Sequence, residues 1–450
     1  MIYEKREDPA PLVVIFGATG DLAQKKLFPA LNVLRAAGAI SSECSILAVS
    51  RRELDSEGFR NFLRERNPDF KEEILRQVEY VRADIGDTEG FRRLYTFIRE
   101  SESGFQGIRT KLFHISLPPK LSEEALRQMR DGGFGEFSKS GKCYALLEKP
   151  IGLDGTSAST MNNLVEEIFG EANVFRVDHY LMKRSLRMFS GDDFRMFLKD
   201  IRPENIATFS AFQYETDDVE KRFDFYDGVG ALRDVGQNHL LMLFAVFAEV
   251  FSGGKPSDSF ARNKFLSALT PGLLAPRLSR GQYEGYGSDR KKSETETYFR
   301  VETEFSVEGY NKTKVFFESG KALNKKLTEV EVSFRQPICF LLPDGKSKFA
   351  SRIVFRVQTD PSFLILSDDG SVASRASVAD YPKHSAIFDS YEQVYFEAIQ
   401  GDPSWFPSRA EIETSWRFVD PIMKIFPVLP LIRYKRGSVP PFNTMGDKRG

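Results

Sequence analysis

The sequence predicts an α/β domain with a doubly wound parallel sheet over residues 1–176, followed by an α+β domain with a large, mostly antiparallel sheet over residues 177–450. Three observations predict this. Short apolar runs alternate with helical patterns in the first part, and a glycine turn joins the first run to the first helix. In the second part, runs rich in Phe and Val alternate with polar residues. The length of 450 residues exceeds one typical domain, and a hydrophobic fraction of 41% suffices for two cores.

Leu12 to Phe16 is apolar and rich in β-branched residues, so it reads as a buried strand. The glycine turn Gly17 to Gly20 follows, and Leu22, Leu27, Leu31 and Leu34 then recur at helical spacing up to a stop at Gly38. Ser45 to Val49 is the next strand, which completes a βαβ unit. Further strands are expected at Val78 to Arg82, Lys111 to Leu117, Lys142 to Leu147 and Val174 to Val177, the last closing the domain. The second part predicts strands at Ile206 to Tyr214, Glu302 to Phe317, Glu329 to Phe334 and Ser351 to Gln358. Helices at Gln237 to Phe251 and Phe388 to Ile399 are expected to cover one face of that sheet, and Val439 to Phe442 to form a tail or a packed arm.

Sixty-three basic and 64 acidic side chains give a net charge of -1, which argues against bulk attraction to nucleic acid or to a membrane surface. Cys44, Cys143 and Cys339 lie far apart, with neither metal-ligand spacing nor a disulfide framework, so a cytoplasmic protein without a metal is expected. Met1 to Pro9 lacks the apolar run of a signal peptide. The longest apolar stretch, Leu240 to Phe251, carries Glu249 and is too short to span a bilayer.

Six segments carry chemistry. Gly17-Ala18-Thr19-Gly20-Asp21-Leu22-Ala23 stands between strand and helix, where small residues let the backbone approach a pyrophosphate and the helix N-terminus offers N–H groups. The competing reading is a plain turn with Asp21 as a helix cap. The second strand ends Ser50-Arg51-Arg52, where an NAD site usually has a carboxylate; arginine binds a 2′-phosphate, so the pair favours NADP, with NAD as the alternative. Glu53 nearby is a candidate to neutralise that charge. Glu148-Lys149-Pro150 and Pro118-Pro119 each follow a strand and face the ligand crevice of an open α/β sheet. Arg176 to Lys183, with Asp178, His179 and Tyr180, makes an anion site and a partner for a base, and Arg233 to His239 leads into the apolar helix.

In order and spacing, Gly17 to Ala23, Glu148-Lys149-Pro150, Asp178-His179-Tyr180-Leu181, Arg233-Asp234, Gln237-Asn238-His239, Lys321 to Asn324 and Arg356-Val357-Gln358 resemble the glucose-6-phosphate dehydrogenase family, over roughly Val13 to Pro421. The resemblance implies a Rossmann-like coenzyme domain and a β+α domain whose sheet forms a dimer interface, in a homodimer or homotetramer. It implies oxidation of glucose 6-phosphate at C1 to the 6-phospho-lactone with NADP, the first step of the oxidative pentose phosphate pathway. By position, His239 resembles the general base and Asp178 the carboxylate that orients it. His179, Lys183 and Tyr180 resemble phosphate binders; Glu215, Asp234, Lys149, Lys321 and Lys326 resemble substrate contacts. Gly17, Ala18, Thr19, Gly20, Asp21, Leu22, Arg51, Arg52, Pro118 and Lys149 fall in the expected coenzyme site. The chain departs from the pattern at Gln24, Ser122, Met182, Arg184 and Glu220 to Asp224. Competing readings are a dehydrogenase of another phosphorylated sugar and a non-catalytic dinucleotide-binding regulator.

Overall fold

The computed structural model describes residues 10–103, 108–139, 141–191, 198, 201–270, 277–287, 290, 293–341, 347–377 and 388–442; the segment Met1 to Pro9 and His384 lie outside them. The chain divides into two compact units, Met1–Met182 with Ala386–Arg409, and Lys183–Ser385 with Ala410–Gly450. The single cut expected between residues 176 and 177 differs from this division in two ways. Met182 is fully buried in the first unit's core, which carries the boundary past it. The helix Tyr391–Gln400, placed on the large sheet by its sequence pattern, instead buries Tyr391, Val394, Tyr395, Ala398 and Ile399 in that same core. An apolar helix face does not specify which sheet it covers.

In the first unit, the strands β1 (Leu12–Phe16), β2 (Ser45–Ser50), β3 (Val78–Arg82), β4 (Lys111–Ile115), β5 (Cys143–Glu148) and β6 (Val174–Val177) form a sheet of order β3-β2-β1-β4-β5-β6. All neighbours run parallel. Each β1 residue is buried, as helices on both faces of a parallel sheet require. Helix Phe28–Ala36 buries Phe28, Ala30, Leu31 and Leu34, and Gly38 ends it at φ +67°. The strand order reverses between β1 and β4, so the crevice at their C-terminal ends is the topological switch point.

The second unit holds a ten-stranded sheet. Its strands are β7 (Ile206–Tyr214), β8 (Leu269–Thr270), β9 (Leu278–Tyr283), β10 (Tyr298–Val307), β11 (Tyr310–Gly320), β12 (Leu327–Leu341), β13 (Ser347–Gln358), β14 (Ser362–Leu366), β15 (Val372–Ser377) and β16 (Leu431–Tyr434). Pairing is antiparallel except for β7 with β11 and β9 with β16. The run Glu302 to Phe317 is two strands, split by a tight turn whose Gly309 adopts φ +90°. Helix Leu241–Phe251 is buried on every side. Phe442 stacks on Tyr298, and its carbonyl accepts from Arg300 (3.0 Å), so the C-terminal Pro-rich segment is a packed arm. Among the described residues, no helix is long and apolar enough to cross a membrane.

Candidate active site

The crevice of the first unit is built by the turn that leaves β1. Gly17 adopts φ +73°, and a Cβ there would lie 2.3 Å from the Ser116 carbonyl oxygen, so only glycine fits. The Gly20 N–H donates to Gly17 O (2.8 Å), and the Ala18 N–H to Val49 O (3.1 Å). A wide, π-type turn, Ala23–Leu27, then runs into helix Phe28–Ala36. Gln24 is buried and donates to Ala18 O (2.6 Å), which braces the turn from inside. The Asp21 carboxylate is held by Lys25 at 2.7 Å on the exposed side.

Gly17, Thr19, Gly20, Ser50, Arg51, Ser116 and Pro118 line one cavity, together with Asp84, Ile85, Phe91 and Leu121. Thr19 and Ser50 join their hydroxyls across it (2.9 Å). Arg51 is exposed at the end of β2, and among the described residues no carboxylate lies within ion-pair distance of it. Arg52 lies over the Phe62 ring at 5.1 Å and is not a lining residue. Glu53 pairs with Arg82 (3.0 Å) and so is not the neutraliser of Arg51. Ala18 is fully buried, and Leu22 packs against the core. Lys149 is half-buried where β5 ends.

The Asp178 to Met182 segment follows β6. Asp178 is buried and accepts the Tyr180 N–H (2.9 Å), and Leu181 N–H returns to Asp178 O (3.1 Å). The segment is a turn, and Lys183 is extended (φ -66°, ψ 131°) ahead of helix Arg184–Phe189. A shared helical face for His179 and Lys183 is therefore ruled out. Arg176 is locked by Asn162, Glu166 and Glu171, which makes it structural. Met182 does not crowd this turn, because its side chain is absorbed into the core.

The second unit gathers Lys321, Glu215 and Asp234. Lys321 is buried, with Nζ 2.5 Å from Glu215 Oε1 and 3.0 Å from Asp234 Oδ2. Its loop is over-determined. The Lys321 N–H donates to Thr297 O (2.9 Å), Lys321 O accepts from the Tyr434 hydroxyl (2.8 Å), and Ala322 N–H donates to Asp217 O (3.0 Å). These bonds hold Ala322 at φ +52°, a strained conformation for alanine. Burial pushes the Lys321 ammonium down, but Asp234 and then Glu215 more than offset it, so its pKa lies above the usual lysine value. Burial pushes the Glu215 carboxyl up, and Lys321 overrides that to leave it below the usual range. Lys326 is exposed and pairs with Asp217 (3.5 Å).

Asp234, Gln237, Asn238 and His239 lie buried on a second π-type segment, Leu232–Leu240. Asn238 accepts its neighbour's N–H, that of His239 (2.7 Å), and donates to Arg233 O (3.1 Å), which fixes the backbone at His239. Gly236 admits the Phe299 ring to 2.7 Å of where a Cβ would stand, so the segment sits tightly on β10.

Two family models match the chain: the glucose-6-phosphate dehydrogenase NAD binding domain over residues 14–187, and the glucose-6-phosphate dehydrogenase C-terminal domain over residues 195–445. The chain belongs to the glucose-6-phosphate dehydrogenase family. Among relatives of this family, a glucose-6-phosphate 1-dehydrogenase of Dickeya dadantii is 27% identical over 91% of this chain and 90% of its own length. The cytoplasmic isoform of Solanum tuberosum is 27% identical over 97% of this chain and 89% of its own. A solved glucose-6-phosphate dehydrogenase in complex with glucose 6-phosphate superimposes with a TM-score of 0.80 and 25% identity, covering 97% of this chain and 96% of that one.

Sequence reasoning missed two groups. One is the far wall of the coenzyme crevice: Asp84 and Ile85 on the loop after β3, and Leu121 in the helix Pro119–Asp131 that follows β4. The other is a buried network of His114, Glu148, Tyr391 and Tyr395. Its one signal in the sequence is a histidine in the middle of an apolar strand. The departure at Glu220 to Asp224 builds structure: Phe223 is buried against Tyr286 (ring centroids 5.1 Å apart), and Glu220 accepts from the Tyr283 hydroxyl (2.8 Å).

Proposed function

We propose that this chain oxidises D-glucose 6-phosphate at C1 to 6-phospho-D-glucono-1,5-lactone and delivers the hydride to NADP. The observation that carries the reading is the family match over both units, with the coenzyme turn in one and the Lys321–Glu215–Asp234 cluster in the other. The Gly17 turn fits a dinucleotide, because a side chain there would fill the space beside the Ser116 carbonyl. Gly17 to Gly20, Pro118 and Arg51 would hold it, Arg51 at the 2′-phosphate. When bound, the dinucleotide supplies the hydride acceptor.

Oxidising a hemiacetal requires loss of its hydroxyl proton as hydride departs. His239 takes that proton, the general-base role that a positioned imidazole commonly fills. Asp178 has the part of the carboxylate that orients the base, by the logic of a triad. His179, Tyr180 and Lys183 bind the phosphate, which supplies orienting energy remote from C1. Lys149, Glu215, Asp234, Lys321 and Lys326 bind the sugar. Lys321 is pre-set for this by its two carboxylates, and sugar hydroxyls exchange with those contacts.

The test mixes the purified chain with glucose 6-phosphate and either NADP or NAD, and reads the reduced-nicotinamide absorbance. Turnover with NADP that is lost on unphosphorylated glucose supports the reading. No turnover by a chain that still binds NADP overturns it. A homodimer or homotetramer and a cytoplasmic location belong to the same reading; light scattering against the 51.2 kDa chain mass checks the first.

A further inference from the structure

The helix Tyr391–Gln400 belongs to the same unit as the Asp178-His179-Tyr180 turn, although more than two hundred residues of chain separate them. Tyr391 is the first residue of that helix. Its ring stacks on the His179 imidazole, with centroids 5.7 Å apart and planes only 14° from parallel. Tyr180 flanks the same imidazole at 4.8 Å. The Tyr391 hydroxyl donates to Glu148 Oε2 (3.2 Å), the other Glu148 oxygen lies 2.9 Å from His114 Nε2, and His114 Nδ1 lies 2.9 Å from the Tyr395 hydroxyl. All of these groups are buried except His179, which is half-buried.

One proton arrangement satisfies every member. Tyr391 and His114 donate to the two Glu148 oxygens, and Tyr395 donates to Nδ1. Burial, followed by the Glu148 charge, raises both tyrosine hydroxyls well above their usual range, so both remain donors. The backbone adds a second constraint. Ser390, directly before Tyr391, sits at φ +49°, and its N–H donates to Met182 O (3.2 Å). The helix start is thereby tied to the end of the His179 turn. A ring fixed by hydroxyl and backbone is a rigid wall for the imidazole stacked on it.

We propose that Tyr391 is a positioning residue for the sugar phosphate: it holds the His179 imidazole in its phosphate-binding orientation, and Glu148 and His114 hold Tyr391. The proposal rests on the reading of His179 as a phosphate ligand. Glu148 precedes Lys149, so the same carboxylate ties the phosphate-binding turn to the end of β5.

The experiment measures KM for glucose 6-phosphate, kcat, KM for NADP and competitive inhibition by inorganic phosphate. It uses the full chain, Tyr391→Leu and Tyr391→Phe, each with and without His179→Asn. Tyr391→Leu removes the stacked face and should raise KM for glucose 6-phosphate and the phosphate inhibition constant together, about three- to tenfold. Values of kcat and of KM for NADP should stay within about twofold. Tyr391→Phe keeps the face but loses the tether, so a smaller rise of roughly two- to fivefold is expected. Neither change should add to His179→Asn, because the group being positioned is gone. Equal rises in both backgrounds, or a fall in kcat at unchanged KM, would overturn the positioning role while leaving the phosphate assignment intact. An unchanged KM in His179→Asn alone would overturn both. If Tyr391→Leu does not fold, Tyr391→Phe in the two backgrounds decides by the same criterion.

Discussion

Replacing Lys321 by methionine tests whether the cluster in the second unit is held by charge. Methionine keeps most of the aliphatic stem, so the change removes the ammonium more than the packing. At an effective dielectric near 20, contacts of 2.5 and 3.0 Å correspond to roughly 6 kcal/mol of gross attraction each. Desolvation offsets much of that. Removing one partner from a buried pair costs about 3–5 kcal/mol, because the remaining charges are left uncompensated. Here two carboxylates remain, Glu215 and Asp234. The pH dependence then reverses sign. In the parent, the folded Glu215 pKa is depressed, so its contribution is present above the unfolded value of about 4.3 and lost as pH falls through the folded value. Without Lys321, burial and the Asp234 charge both push Glu215 up, so the variant binds a proton on folding and gains relative stability in acid. Urea unfolding read through Trp416, in a Trp405→Phe background, should give a loss of about 3–5 kcal/mol at neutral pH that shrinks toward pH 5. A loss under about 1 kcal/mol, or one that grows in acid, refutes the charge argument.

Arg51→Ala should weaken NADP about ten- to a hundredfold and NAD hardly at all, the worth of one charge-assisted contact to the 2′-phosphate. Equal losses in a binding titration would assign Arg51 to something both coenzymes share. His239→Asn should lower kcat by at least ~10²-fold with KM for glucose 6-phosphate little changed; an undiminished kcat across the pH range removes it as the base. Glu296 is buried beneath the start of Leu232–Leu240, its Oε1 accepting the Leu232 N–H (3.2 Å), and burial raises its carboxyl to about 7. That group binds its proton more tightly in the fold, so its stability is full below the unfolded value and is lost as pH rises toward 7. Glu296→Gln should therefore unfold at higher urea than the parent above pH 7, by up to about 3 kcal/mol, and match it near pH 4; a variant weaker at both pH values sinks the argument.

The sequence exposed the first unit through local pattern alone. Leu12 to Phe16, the Gly17 turn, the leucines at helical spacing and Gly38 each announce one element, and all lie within one βαβ unit. Alternation in the second unit marks β7 and β10 to β13, whereas β8, β9 and β14 to β16 fall outside the expected runs, and the hairpin inside Glu302 to Phe317 does not show in the pattern. Glu308-Gly309 is a two-residue connection that interrupts alternation too briefly to register. Helix Tyr391–Gln400 is legible as a helix but not as to its partner, since an apolar helix face does not specify which core it covers.

The candidate site residues divide along the same line. Asp234, Asn238 and His239 share one segment, and Asp178, His179 and Tyr180 share another, so composition over a few positions suffices to flag them. Lys321 needed more, because what distinguishes it from an ordinary buried lysine is two carboxylates from distant segments, Glu215 being 106 positions away. His114 and Tyr395 are 281 positions apart, and each alone reads as core. Their polar character is explained only once β4 and helix Tyr391–Gln400 are brought together, with Glu148 at the end of β5 between them. A buried histidine with no polar neighbour in its own strand implies a partner from elsewhere, because leaving both ring nitrogens unsatisfied costs about 1–3 kcal/mol per group. Such a residue is therefore a sequence-level pointer to a tertiary network, even when the identity of the partner is not readable. In this chain the pointer at His114 leads through Glu148 and Tyr391 to His179, so the least conspicuous of the described histidines is the one that joins the core of the first unit to its expected phosphate ligand.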